Sequence, residues 1–116
     1  MSVTIFHNPR CSKSRQTLAL LEEKGIQPEV VKYLDTPPTV EKLKEIFGQL
    51  ELESVRAMMR TKEDIYKELN LADPALTDDQ LFQAMFDNPK LIERPIVVSN
   101  GKAKHGRPPE QVLDIL

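Results

Sequence analysis

The chain has 116 residues, 40% of them apolar and 29% charged, with a formal net charge of −2 at pH 7. That is an ordinary globular composition for one domain, spanning residues 1–116, and it excludes a collagen, a disordered chain and a membrane protein. The balance gives no electrostatic case for nucleic acid, and a single cysteine excludes an internal disulfide or a multi-cysteine zinc site. With only His7 and His105 besides, no metal site is expected. No apolar run approaches the ~20 residues of a membrane span. The first seven residues lack the basic and long apolar regions of a secretory signal, so a cytoplasmic protein is expected.

Residues 3–7 read as a short buried strand, which Asn8-Pro9 breaks. A helix follows from about Cys11, with Leu18, Ala19, Leu20 and Leu21 as its apolar stripe and Gly25 as its stop signal. Residues 28–33, with Val30 and Val31, read as a second strand. Two strands joined by a helix should be parallel, with a right-handed crossover. A Pro-rich turn at 35–39 leads into a helical block running to about residue 87. In it Val40, Leu43, Ile46 and Phe47 share a face, Ser54 caps a short helix through Met59, and Thr61 caps another through Leu69. Thr77 with Gln80 fits a capping box for a helix with Leu81, Ala84 and Met85 inward. Residues 96–98 form a strand, and Asn100-Gly101 is a strong hairpin signal, because both central positions of a type I′ turn need positive φ. Lys102–His105 is then the antiparallel return strand, and a last helix covers 110–116. The expected architecture is α/β, βαβ-ααα-ββα, with a four-stranded mixed sheet.

Charge is unevenly spread. Residues 1–21 and 94–109 together carry seven basic residues and no acid, whereas 22–93 has a net charge of −7. The only cysteine lies in the first acid-free stretch. It follows a strand and a proline break and stands where a helix begins, with Arg10, Lys13 and Arg15 nearby. A free cysteine is commonly a small buried apolar group. At a helix N-terminus among cations, however, thiol pKa values fall to about 3.5–7.5, so this context points to a reactive thiolate. Ser14 stands where a Cys-x-x-Cys pair would have its second thiol, and its hydroxyl could donate to the sulfur. The site is therefore monothiol, and an oxidised Cys11 needs an outside thiol to resolve it. His7 either tunes the thiolate or is a satisfied histidine at the core edge; His105 reads as structural. Arg94 and Arg107 each precede proline in the second basic stretch. Their planar donor forks match a tetrahedral oxyanion.

The run His7-Asn8-Pro9-Arg10-Cys11-Ser12-Lys13-Ser14-Arg15 resembles the active-site loop of the glutaredoxin-linked arsenate reductases, the ArsC family. Residues 54–60, 93–98 and 107–110 resemble three further blocks of that family in the same order. The loop departs from the usual pattern in its flanks, with Arg10 before the cysteine and Ser12-Lys13-Ser14 after it. The resemblance implies a thioredoxin-like fold with an inserted helical block and a cis bond before Pro95. It implies Cys11 as nucleophile, Arg60, Arg94 and Arg107 as oxyanion ligands, and His7, Asn8, Ser14 and Arg15 as supporting residues. It further implies arsenate as substrate, glutathione as co-substrate, glutaredoxin as the partner that cleaves the mixed disulfide, and no bound cofactor. Two other activities fit parts of the pattern. A monothiol glutathione-linked disulfide reductase needs Cys11 but not Arg60 or Arg107. A Spx-type redox-sensing regulator typically carries Cys-x-x-Cys, where this chain has Ser14.

Overall fold

The computed structural model describes residues 2–116. The chain forms two compact units, one from Met1–Thr36 with Arg94–Leu116 and one from Pro37–Glu93.

The first unit holds a four-stranded sheet of order β2-β1-β3-β4, built from β1 (Val3–Phe6), β2 (Glu29–Val31), β3 (Ile96–Ser99) and β4 (Lys102–His105). β1 pairs parallel with β2 and antiparallel with β3, which pairs antiparallel with β4. The sheet is therefore mixed, and the first two strands are parallel as a βαβ unit requires. The second strand is shorter than expected, three residues at the sheet edge, with Val30 facing solvent. Asn100 (φ 56°) and Gly101 (φ 76°) make the hairpin turn with the positive φ angles that a type I′ turn demands.

Helix α1 (Ser12–Glu23) begins directly after Cys11 and ends at Gly25, whose φ of 78° suits a residue without Cβ. Its buried face is Ser14, Thr17 and Leu21, not the expected run of leucines; Leu18 and Leu20 are only partly buried and Ala19 is exposed. Two hydroxyl residues face inward because both hydroxyls are satisfied there, Ser14 by His7 and Thr17 by the Lys13 carbonyl at 2.8 Å. Leu21 joins Val3, Ile5, Val97, Val112 and Ile115 in the core. The last segment, Pro109–Ile115, is 3₁₀ in form rather than the expected α-helix. Its buried residues Pro109, Val112 and Ile115 recur every third position, the spacing that a 3₁₀ helix stacks on one face.

The second unit contains α2 (Val40–Leu50), α3 (Asp64–Glu68) and α4 (Asp78–Asp87), with 3₁₀ segments at Val55–Met58 and Pro89–Leu91. Thr39 caps α2 through the Lys42 amide, and Leu43, Ile46 and Leu50 form its buried face. Ser54 does cap the next segment, a 3₁₀ turn, by accepting from the Arg56 amide. Thr61 does not cap α3. That helix starts three residues later because Arg60 and Glu63 close a turn and pair through their side chains. Thr77 and Gln80 complete the capping box of α4. Phe82, rather than Ala84, is the inward partner of Leu81 and Met85, and it meets Phe47 edge-on at 5.8 Å.

Candidate active site

The first unit brings the two ends of the chain together around Cys11. The turn Asn8–Cys11 is closed by the Cys11 amide donating to the Asn8 carbonyl at 3.0 Å, and the Arg10 amide donates to Asn8 Oδ1. Arg15 reaches back from α1 to donate to the Pro9 carbonyl at 3.0 Å. The strand end, turn and first helical turn thus fix one another. Cys11 takes the N-cap position, with extended φ and ψ of −92° and 124°. A cap residue accepts from the second or third amide of its helix, and in α1 these belong to Lys13 and Ser14.

The Cys11 side chain closes no capping hydrogen bond, so its sulfur lies near these amides rather than bonded to them. Burial pushes the Cys11 thiol up, and this is the largest single influence. The Ser14 amide, the Arg94 charge, the Lys13 amide and a hydrogen bond from the Arg94 side chain together outweigh it, so the thiol lies below its ordinary pKa. A helix start, with its unpartnered amides and dipole, favours the ionised sulfur.

The Ser14 hydroxyl is engaged away from the sulfur. The hydroxyl accepts from the Asn8 amide at 3.0 Å and lies 2.6 Å from His7 Nδ1. His7 is buried, and burial first, then the charges of Lys32 and Arg15, lower its pKa and keep the ring neutral. Among the described residues the one acceptor for the Ser14 hydroxyl hydrogen is Nδ1, which places the ring proton on Nε2. Ser14→Ala should therefore cost about 1–3 kcal/mol of stability, since it strands both partners of the hydroxyl. The pH midpoint of Cys11 alkylation should stay in place, because the amide remains. Denaturant unfolding and iodoacetamide kinetics check the two halves separately.

Arg94 and Arg107 come together behind this loop. Both precede proline through cis bonds, Arg94-Pro95 as expected and Arg107-Pro108 in addition. Arg107 donates to the Arg94 carbonyl at 3.3 Å, so the two guanidinium-bearing segments are tied to each other. Gly106 makes this approach possible. Its amide donates to the Pro95 carbonyl at 3.0 Å, and a Cβ there would meet Thr17 Oγ1 and lie 2.8 Å from Pro95 Cγ. No side chain fits that space. Gly106→Ala is expected to cost about 1–3 kcal/mol through overpacking, read as a lowered denaturant midpoint at unchanged slope. Neither Gly106 nor Thr17 stood out in the sequence; the one available signal was a glycine directly before Arg107-Pro108.

Arg60 lies in the second unit. Its amide donates to the Leu91 carbonyl at 2.7 Å and its guanidinium pairs with Glu63. Arg56, from the same block, is structural there, donating to the Leu71 carbonyl at 3.0 Å and the Asp73 carbonyl at 2.7 Å. Among the described residues no three His, Cys, Asp or Glu side chains are grouped to hold a metal ion. No helix among them is long and apolar enough to cross a membrane.

The ArsC family profile matches residues 6–115. The chain belongs to the ArsC family. Within that family, its sequence is 62% identical over 114 residues to the uncharacterised protein YfgD of Escherichia coli K12, covering 98% of this chain and 96% of that one. It is 60% identical over 114 residues to an arsenate reductase of Neisseria meningitidis, covering 98% of this chain and 97% of the other. The structure superposes on an arsenate reductase from Vibrio cholerae with a TM-score of 0.99, at 69% identity over 100% of this chain and 98% of that one. The α/β architecture is the thioredoxin-like fold of the ArsC proteins, with a helical block inserted between β2 and β3.

Proposed function

We propose that this protein reduces arsenate to arsenite, with Cys11 as the nucleophile and glutathione and glutaredoxin supplying the electrons. The observation that carries this reading is the Cys11 sulfur at the start of α1, where amides and Arg94 favour its ionised form. Relatives 60% and 69% identical to this chain, named as arsenate reductases, support the choice of oxyanion.

The chemistry follows from the charges. Arsenate is an anion at neutral pH, and a thiolate approaching it meets repulsion. Arg94, already against the sulfur, offsets that charge, and Arg107, tied to the Arg94 carbonyl, adds a second donor fork. Arg60 is assigned the third position by its match to the family pattern alone; its guanidinium pairs with Glu63. The Cys11 sulfur bonds to arsenic, and one arsenic oxygen leaves as water after protonation. A glutathione thiolate then attacks the Cys11 sulfur. A sulfur–sulfur bond forms, the sulfur–arsenic bond breaks, and its electron pair stays on arsenic, which departs as arsenite. Glutaredoxin attacks the glutathione sulfur of the mixed disulfide and returns Cys11 as thiolate. Cys11 is the only cysteine, so an outside thiol must perform both steps. A cytoplasmic setting, where glutathione keeps thiols reduced, suits this cycle.

The intermediate provides the test. With arsenate and glutathione but no glutaredoxin, mass spectrometry should find glutathione linked to Cys11, formed one for one with arsenite. Cys11 left unmodified under those conditions, in a protein whose thiol still alkylates, would remove this route.

A further inference from the structure

The parallel pairing of β1 and β2 sends both strands out at the same edge of the sheet, with Phe6 opposite Val31 and the His7 amide donating to the Val31 carbonyl at 2.8 Å. Beyond that edge the chain turns twice. One turn is Asn8–Cys11; the other is closed by the Asp35 amide donating to the Lys32 carbonyl at 3.0 Å. Between them lies a cavity of about 350 Å³, walled by residues 7–10 on one side and by Lys32, Leu34 and Asp35 on the other. Its size falls within the usual range of small-ligand sites, roughly 300–1,000 Å³, and its position at the carboxyl ends of neighbouring parallel strands is a common one for ligands.

The charges of its walls are specific. Arg10 and Lys32 supply two cations and Asp35 one carboxylate, all three exposed and none in a salt bridge among the described residues. Leu34 and Pro9 supply apolar surface between them. We propose that this cavity holds glutathione for its attack on Cys11, with Arg10 and Lys32 receiving its two carboxylates and Asp35 its ammonium group. The proposal rests on glutathione being the co-substrate. Cys11 does not line the cavity, but it follows Arg10 directly and closes the turn that walls it. The glutathione thiol is on the middle residue, about 5 Å from either end, so a glutathione held by Arg10 and Lys32 would bring it to the neighbourhood of Cys11.

The test uses no arsenate, so it separates this site from the arsenate reading. Cys11 is converted with Ellman's reagent to its thionitrobenzoate disulfide. The second-order rate of thionitrobenzoate release is then measured with glutathione and with uncharged 2-mercaptoethanol. In each case the attacking thiolate bonds to the Cys11 sulfur and thionitrobenzoate leaves with the electron pair. The ratio of the two rates cancels any general change in Cys11. In the double variant Arg10→Gln/Lys32→Gln that ratio should fall about fivefold, as expected for losing two solvent-exposed charge pairs. In the unsubstituted protein it should also fall with added salt. A ratio equal in the two proteins would overturn the assignment, even if arsenate is reduced. A reduced ratio in a protein that fails on arsenate would leave the glutathione site standing and redirect the activity toward glutathione-linked disulfides.

Discussion

Replacing Cys11 by serine should reduce arsenite formation to the uncatalysed background while leaving the fold intact or slightly more stable. The two effects share one cause. Cys11 holds the N-cap of α1 without a side-chain capping hydrogen bond, and serine is among the best residues at that position. A hydroxyl, however, does not ionise near neutral pH and forms no sulfur–arsenic bond. The stability difference should depend on pH in a definite direction. The folded Cys11 pKa lies below its unfolded value, so below the folded pKa both states carry a thiol and ionisation contributes nothing. Stability from the thiolate appears as pH rises through the window between the two values and is complete above the unfolded one. Urea midpoints for the two proteins should therefore shift in favour of the cysteine protein as pH rises. A constant difference would mean that the sulfur is not stabilised as an anion.

The second large effect belongs to Arg94, which favours the ionised sulfur and is proposed as an oxyanion ligand. Arg94→Gln should move the pH midpoint of Cys11 alkylation upward, because a charge and a hydrogen bond that favour the thiolate are lost. Arsenate turnover should fall about 10²–10³-fold, the usual consequence of removing one oriented donor from a developing anion. Arg94→Lys separates the roles. It keeps the charge, so the alkylation midpoint should return most of the way, but a lysine offers no planar fork and arsenate KM should stay raised. Equal KM values for the lysine variant and the parent protein would place arsenate elsewhere.

The parts of the fold visible in the sequence were those set by local chemistry. Asn100-Gly101 announces a turn needing positive φ, Thr77 with Gln80 announces a helix start, and both appear as read. Cys11 was legible for the same reason: a strand, a proline break and a helix start in succession leave little choice about where a helix dipole points. The misreadings were tertiary. Ser14 and Thr17 form the inward face of α1 because His7 satisfies one hydroxyl and the Lys13 carbonyl of the same helix the other, and a periodicity search for apolar residues passes over them. The start of α3 was displaced by the Arg60–Glu63 pair, which outweighed Thr61 as a cap. The clearance at Gly106 depends on Thr17 and Pro95, 89 and 11 positions away in the chain, so no local pattern encodes it. Arg107 donates to the Arg94 carbonyl, a contact that their placement before prolines does not reveal, while Arg56 braces two backbone carbonyls.

The measurement that bears most directly on the central claim is NADPH oxidation coupled through glutathione reductase, glutathione and glutaredoxin, with arsenite determined as product. The protein should consume NADPH in proportion to added arsenate, one NADPH for each arsenite formed, and Cys11→Ser should do neither. Consumption that is independent of arsenate, or absent from a folded protein whose Cys11 still reacts readily near neutral pH, would contradict arsenate reduction as the activity of this site.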